Sequence, residues 1–168
     1  MVVVPLKRLL MQRLKMTLSE NFTLEEATFS ETAVRLGIPN EPSPEQLENM
    51  KKAAEGMEAI RKLLGKPIRV SSWLRLPAVN QAIGGAPKSS HMDGWAIDFT
   101  CSGYGTPYEV AKALKESEIQ VDQVIHEFGI WVHVSFAPEM RNQFLTIFKP
   151  QNKYVSGILT AAEYAKTA

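Results

Sequence analysis

One long amphipathic segment, with clear signals at both ends, constrains this sequence most. Ser43 is a favourable N-cap, Pro44 suits the first helical position, and Gly65 is a typical C-terminal stop. Between these signals, apolar residues recur every three or four positions, at Leu47, Met50, Ala54, Met57, Ile60 and Leu64. This spacing predicts a helix of about twenty residues whose apolar face must pack against another layer of structure.

The elements around this helix favour an α+β fold. Short helices are expected before residue 40, and another over residues 107–117. Strand patterns cover residues 68–71, 95–100, 121–127 and 130–136. Because helices come first and the strands are not regularly alternated with helices, we expect an antiparallel sheet with helices packed on one side, in a single domain.

The charge distribution separates a short N-terminal segment from the rest. Four basic residues precede Met16 with no acidic residue among them: Lys7, Arg8, Arg13 and Lys15. The remaining chain has a slight acidic excess, so we expect no nucleic-acid partner, which would require a basic stripe. The predicted division is a basic extension over residues 1–15, a functional domain over 16–150 and a C-terminal tail over 151–168.

Charges also interrupt the apolar residues of the extension. No apolar run is long enough for an export signal or a membrane span, which predicts synthesis in the cytoplasm. The extension is interpreted as dispensable, because Met16 begins a more orderly sequence; a basic amphipathic helix on a membrane surface is the alternative.

The residues that can bind a metal are few. Cys101 is the single cysteine, so a metal would need histidine and carboxylate ligands. His91 follows a polar loop, Asp98 lies seven positions later on the polar side of a predicted strand, and His133 is flanked by valines. If they converge, they form a three-ligand zinc site with one open position. Otherwise they are a surface histidine, a turn carboxylate and a hydrogen-bonded core histidine.

Several short motifs occur in a characteristic order. They are Ser72-x-x-Arg75, Pro77-Ala78-Val79-Asn80, Gly84-Gly85, Ser89-x-His91-x-x-Gly94-x-Ala96-x-Asp98 and Trp131-Val132-His133-Val134. This order resembles the zinc D-alanyl-D-alanine carboxypeptidase superfamily, which includes vancomycin-resistance dipeptidases, phage L-alanyl-D-glutamate endolysins and the hedgehog fold. The resemblance spans residues 22–138 and looks closest to a phage or prophage branch. It implies Zn²⁺ bound by His91, Asp98 and His133.

A metallopeptidase also needs a carboxylate that moves protons beside the metal. Relatives often carry a glutamate three positions before the last histidine, where this chain has Ile130. Glu127 is therefore the expected catalytic base, because a hairpin at Phe128-Gly129 can return it to the site. Asp122 and Asp93 are the alternatives.

The resemblance also implies roles for three further residues. Arg75 is expected to act in catalysis and substrate binding, and Ser89 to lie beside the substrate. Trp73 replaces a small residue of the family motif and is expected to reshape the pocket. His126 is interpreted as a strand surface residue or a support for a metal ligand.

The expected function is hydrolysis of peptide bonds in peptidoglycan stem peptides, by a D-Ala-D-Ala carboxypeptidase or endopeptidase that lyses or remodels the bacterial cell wall. We expect a monomer. One alternative is a non-catalytic, zinc-stabilised module that binds the wall or belongs to a virion, because Ile130 replaces a carboxylate. Another is a metal-free wall-binding domain.

Overall fold

The longest helix begins and ends where its sequence signals place it. In the computed structural model, which describes residues 16–167, this helix, α3, runs over Pro44–Leu64. Ser43 and Gln46 form a capping box, and Gly65 ends the helix with a φ of 61°. Glycine suits this left-handed conformation because it has no Cβ. The extension predicted over residues 1–15 lies outside the described residues.

The other described elements confirm the α+β class. The helices are α1 (Leu24–Thr28), α2 (Glu31–Leu36), α4 (Pro77–Ala82), α5 (Pro107–Glu116) and α6 (Ala161–Ala165). The strands are β1 (Arg69–Ser72), β2 (Ala96–Thr100), β3 (Gln123–Glu127), β4 (Trp131–Ser135), β5 (Gln143–Ile147) and β6 (Val155–Ser156). None of the helices in residues 16–167 has the length and apolar character needed to cross a membrane.

The strands form one open sheet in the order β1-β2-β4-β3-β5-β6. Neighbouring strands are antiparallel except β3 and β5, which run parallel. Contacts between the loop after β4 and the start of β3 position the parallel strand. Arg141 Nη2 lies 2.6 Å from Asp122 Oδ2, and the Gln143 N–H donates to the Asp122 carbonyl at 3.0 Å. Strand β5 therefore starts beside the start of β3 and runs in the same direction.

The two faces of the sheet differ in chemistry. One face packs on helices α3 and α5 through buried apolar side chains: Met50, Met57, Ile60, Ile97, Phe99, Val110, Leu114, Val132 and Val134. Because side chains alternate along a strand, the residues between these positions point to the other face. That polar face carries Asp98 and His133, and the segment between β1 and β2 covers part of it.

Residues 151–167, which the sequence sets apart as a tail, belong to the same fold. Ser156 of β6 pairs with Leu145 of β5. Ile158 joins the apolar core cluster, and Tyr164 is buried. Strand β6 is only two residues long, so no alternating pattern marked it.

Candidate metal centre

Three side chains from separate parts of the chain meet on the polar face of the sheet. His91 comes from the segment between β1 and β2, Asp98 from β2 and His133 from β4. Asp98 and His133 lie directly opposite each other in the ladder between β2 and β4. One ligand atom from each residue lies within 4.8 Å of the other two. The structure thus brings together the three residues that the sequence proposed as metal ligands.

The distances among the three side chains suit a metal ion. Asp98 Oδ1 lies 3.1 Å from His91 Nε2 and 2.9 Å from His133 Nδ1. The two ring nitrogens are 3.2 Å apart. Zinc–nitrogen bonds of about 2.0–2.1 Å in tetrahedral geometry separate two ligand atoms by about 3.3 Å. The three atoms therefore need to move by only a few tenths of an ångström to hold such an ion.

The protonation of His91 also fits a cation at this point. Its Nδ1 lies 2.6 Å from the carbonyl oxygen of Trp73, which can only accept a hydrogen bond. Nδ1 therefore carries the proton, and the lone pair of Nε2 faces the carboxylate of Asp98. Two acceptor atoms at this distance repel each other unless a cation lies between them. A second hydrogen bond that fixes the ring in this way is typical of histidine metal ligands.

The electrostatic environment keeps the ligands in metal-binding states. Burial lowers the pKa of His91, which favours its neutral imidazole. Burial raises the pKa of Asp98, but the adjacent His91 and His133 lower it more, and the pKa lies below its ordinary value. Arg75 Nη2 lies 3.5 Å from Asp98 Oδ2. The group therefore offers a neutral imidazole and an ionised carboxylate, as metal binding requires.

The segment that carries His91 is held by Trp73 and by a required glycine. The Trp73 indole Nε1 donates to the Gly94 carbonyl at 2.8 Å. Gly94 has a φ of +82°, and an added Cβ would lie 2.7 Å from Met50 Cγ. Trp73 itself is fully buried in the core. Its carbonyl and indole hold the loop in place, and the expectation that it reshapes the pocket stays a prediction.

Asn40 positions the Arg75 segment, a role that no sequence pattern indicates. Its Nδ2 donates to the Leu74 carbonyl at 2.8 Å and to the Thr28 carbonyl at 2.9 Å. Its Oδ1 accepts from the Leu76 N–H at 3.0 Å. The sequence shows Asn40 in a polar linker, where a buried side chain with three backbone contacts has no local signal.

A tight hairpin brings Glu127 to the face of the sheet that carries His133. Phe128 and Gly129 have φ values of 57° and 69°, as in the type I′ turns that join antiparallel strands. Glu127 pairs with Trp131, and Ile125 pairs with His133, so the carboxylate and the imidazole share one face. Ile130 is 62% exposed in the turn. The position three residues before His133 therefore points away from the centre.

The carboxyl group of Glu127 titrates near neutral pH. Burial raises its pKa, and the negative charge of Asp98 raises it further. His133, Arg75 and the Trp131 indole lower it, and the resulting pKa is about 7. A carboxylate with such a pKa can accept a proton and return it near neutrality.

The other carboxylates considered as bases have different surroundings. Asp122 is buried at the start of β3 and forms an ion pair with Arg141. Asp93 is exposed, and its backbone carbonyl accepts from Asn49 Nδ2 at 3.0 Å. Neither carboxylate is among the charges that act on Glu127, His91 or Asp98.

Two remaining candidates have clear positions. Ser89 is half-buried, and its Oγ accepts from the His91 N–H at 3.4 Å, beside the centre. His126 is buried on the opposite, helix-covered face. Its Nδ1 donates to the Leu159 carbonyl at 2.9 Å, and its ring lies against Tyr108 and Phe148. The interpretation of His126 as a surface residue or a support for a metal ligand is therefore wrong.

An α+β domain that holds two histidines and one aspartate at one buried point has the ligand set of a catalytic zinc centre. Residues 20–135 match the protein family described as Peptidase M15. The chain belongs to this family of zinc-dependent metallopeptidases, which confirms the resemblance to the zinc D-alanyl-D-alanine carboxypeptidase superfamily. No curated protein matches the chain.

Proposed function

We propose that this protein is a zinc-dependent peptidase that hydrolyses peptide bonds in the stem peptides of peptidoglycan, as a D-Ala-D-Ala carboxypeptidase or an endopeptidase. One observation carries the proposal: the buried group of His91, Asp98 and His133 shares a face of the sheet with Glu127, whose pKa is about 7. Membership of the Peptidase M15 family supports a metallopeptidase and a substrate in the bacterial cell wall.

His91, Asp98 and His133 are the proposed zinc ligands. Their side chains supply three ligand atoms, and a zinc ion held by them would keep a position open for water or substrate. A zinc ion supplies a Lewis acid for a carbonyl oxygen and lowers the pKa of water to about 7. Burial of all three ligands excludes bulk water and strengthens the electrostatic interactions within the centre.

Glu127 is the proposed general base. Its carboxylate takes one proton from the attacking water as the oxygen adds to the scissile carbonyl carbon. The same carboxyl group then gives this proton to the leaving nitrogen as the carbon–nitrogen bond breaks. A pKa of about 7 suits both steps, because the group must change protonation state twice in each cycle.

Arg75 is the proposed group that binds negative charge on the substrate. Its Nη2 contacts Asp98, and its side chain is 15% exposed. The guanidinium can donate to the scissile carbonyl oxygen as negative charge develops there, or to a substrate carboxylate. Ser89, at the edge of the centre, is proposed to contact the substrate backbone.

The test is mass spectrometry of purified peptidoglycan fragments incubated with the zinc-loaded protein. A chelated sample and the Glu127→Gln variant are the controls. We expect a zinc-dependent mass change that the variant lacks; loss of a terminal alanine identifies a carboxypeptidase, and a split stem or cross-bridge identifies an endopeptidase. Wall fragments left intact while the protein still binds zinc and the wall would overturn the proposal in favour of a binding module.

A further inference from the structure

A tyrosine from the C-terminal part of the chain lies in one row with Glu127. Strands β5 and β6 are antiparallel and pair with Thr146 opposite Val155. One step further along this ladder, Tyr154 is opposite Ile147. Ile147 in turn lies opposite Glu127 in the ladder between β3 and β5. Because directly opposite residues point to the same face of a sheet, Glu127, Ile147 and Tyr154 share the polar face.

Three contacts hold the turn that presents Tyr154. The hydroxyl of the buried Tyr164 of α6 accepts from the Lys153 N–H at 3.2 Å and donates to the Lys153 carbonyl at 2.6 Å. At the other end of the turn, Lys149 Nζ lies 5.5 Å from the centroid of the Phe128 ring, in the hairpin between β3 and β4. The turn is therefore tied both to α6 and to the hairpin that positions the proposed base.

The Tyr154 hydroxyl lies in the electric field of the metal centre. Partial burial raises the pKa of the phenol, the negative charges of Glu127 and Asp98 raise it further, and Arg75 lowers it. The interaction is mutual, because a charge on Tyr154 also acts on the pKa of Arg75. Such interactions are screened beyond about 10 Å in water, so the hydroxyl lies near the reacting groups. The phenol is protonated at neutral pH and can donate a hydrogen bond.

This hydroxyl is available to a substrate. The Tyr154 side chain is 54% exposed, and its hydroxyl forms no hydrogen bond within residues 16–167. Arg75 follows β1 and Tyr154 precedes β6, and these are the two outer strands of the sheet. The two side chains thus approach the centre from opposite sides, with the strands that carry Asp98, His133 and Glu127 between them.

The surrounding charges favour a transient anion as the partner of Tyr154. An ionised Glu127 repels a permanent carboxylate on the substrate. Glu127 becomes neutral when it takes the proton of the attacking water, and the scissile carbonyl oxygen becomes negative in the same step. A neutral donor at this point therefore stabilises that oxygen more in the transition state than in the bound substrate.

We propose that the Tyr154 hydroxyl donates a hydrogen bond to the scissile carbonyl oxygen as negative charge develops there, from the side opposite Arg75. The hydroxyl keeps its proton throughout, and Glu127 carries out the proton transfers. The inference rests on the proposed function and adds a catalytic residue to it. Tyr154 lies outside the residues 20–135 that match the family, so the match assigns it no role.

The test is the Tyr154→Phe variant, which removes the hydroxyl and keeps the ring. On the peptidoglycan fragment that the zinc-loaded wild type cleaves, we expect kcat to fall by about 10²-fold with KM nearly unchanged. Zinc content and the midpoint of urea unfolding should equal those of the wild type. Tyr104→Phe is the matched control, because Tyr104 is 45% exposed in the loop after β2, and it should leave kcat unchanged.

A second measurement uses a phosphinate analogue of the bond that the wild type cleaves, since its oxygens carry negative charge at the position of the scissile carbonyl. Tyr154→Phe should weaken inhibition by this analogue by about the same factor as it lowers kcat/KM. A wild type that cleaves no wall fragment overturns the proposed function. An active wild type with an equally active Tyr154→Phe variant overturns the inference alone, as does a variant that changes only KM or loses zinc.

Discussion

Two buried histidines on adjacent strands show how the two faces of the sheet differ. His126 of β3 shares the helix-covered face with Val132, its partner across the ladder, whereas His133 of β4 lies on the polar face. His126 contacts one carbonyl and two aromatic rings. His133 contacts the Asp98 carboxylate and the His91 ring. Burial alone therefore does not identify a functional histidine; the groups that surround it do.

The largest expected effect distinguishes these two histidines. His133→Ala removes one of three proposed ligands and should abolish stoichiometric zinc binding together with activity. His126→Ala should keep zinc but lower the free energy of unfolding by about 3 kcal/mol, because it leaves a cavity and an unpaired carbonyl. Zinc content and urea unfolding of both variants measure this difference. Equal zinc content in the two variants would contradict the assignment of the polar face as the metal site.

The second prediction concerns proton transfer on the polar face. Glu127→Gln should lower kcat by about 10² to 10⁴-fold, since the amide cannot accept a proton. Zinc affinity should be retained, because Glu127 is outside the ligand group. Glu118→Gln, an exposed change after α5, is the matched control and should have no effect. A normal kcat for Glu127→Gln in stopped-flow or mass-spectrometric assays would exclude Glu127 as the base.

The third prediction concerns the apolar face. Phe99→Ala removes a fully buried ring and should lower the free energy of unfolding by about 3–5 kcal/mol. Its neighbour Thr100→Ala, on the polar face, should change it by less than about 1 kcal/mol. Denaturant melts test both changes, and the folded Phe99→Ala protein should bind zinc as tightly as the wild type. A large loss of zinc affinity in that variant would show that the two faces are coupled.

The smallest expected effect is a pH dependence of the zinc-free protein. The pKa of Glu127 is raised to about 7 from an ordinary value of 4.5, so the folded state binds the extra proton between these values. The resulting stability is fully present below about pH 4.5 and is lost as the pH rises through 7. It amounts to at most about 3 kcal/mol. Unfolding of chelated wild type and Glu127→Gln across pH 4–8 should give a smaller slope for the variant.

Local patterns predicted much of the fold. The capping residues Ser43 and Gly65 marked both ends of α3, and alternation along β2 placed Asp98 on the polar side of its strand. Both features depend on residues within a few positions of each other. Strand β6 and the parallel partner β5 escaped prediction because they depend on pairing with distant residues, as the contact between Arg141 and Asp122 illustrates.

For the candidate site too, local motifs predicted some residues, whereas the roles of others depend on distant contacts. The motif around His91 and Asp98 and the later His133 identified the ligand candidates, and the Phe128-Gly129 pair pointed to a hairpin at Glu127. The sequence did not indicate the role of Asn40, because its three backbone partners are up to 36 residues away. The sequence also did not indicate that Ile130 is exposed, because this depends on the backbone geometry of the turn.

The sequence by itself determined the helix and strand periods, their caps, and the residue types that can bind zinc or transfer a proton. The tertiary structure decided which of these residues meet. His133 reaches Asp98 across 35 residues of chain because β2 and β4 pair in one register. Periodicity and capping act within one or two helical turns, whereas register and packing depend on the whole folded chain.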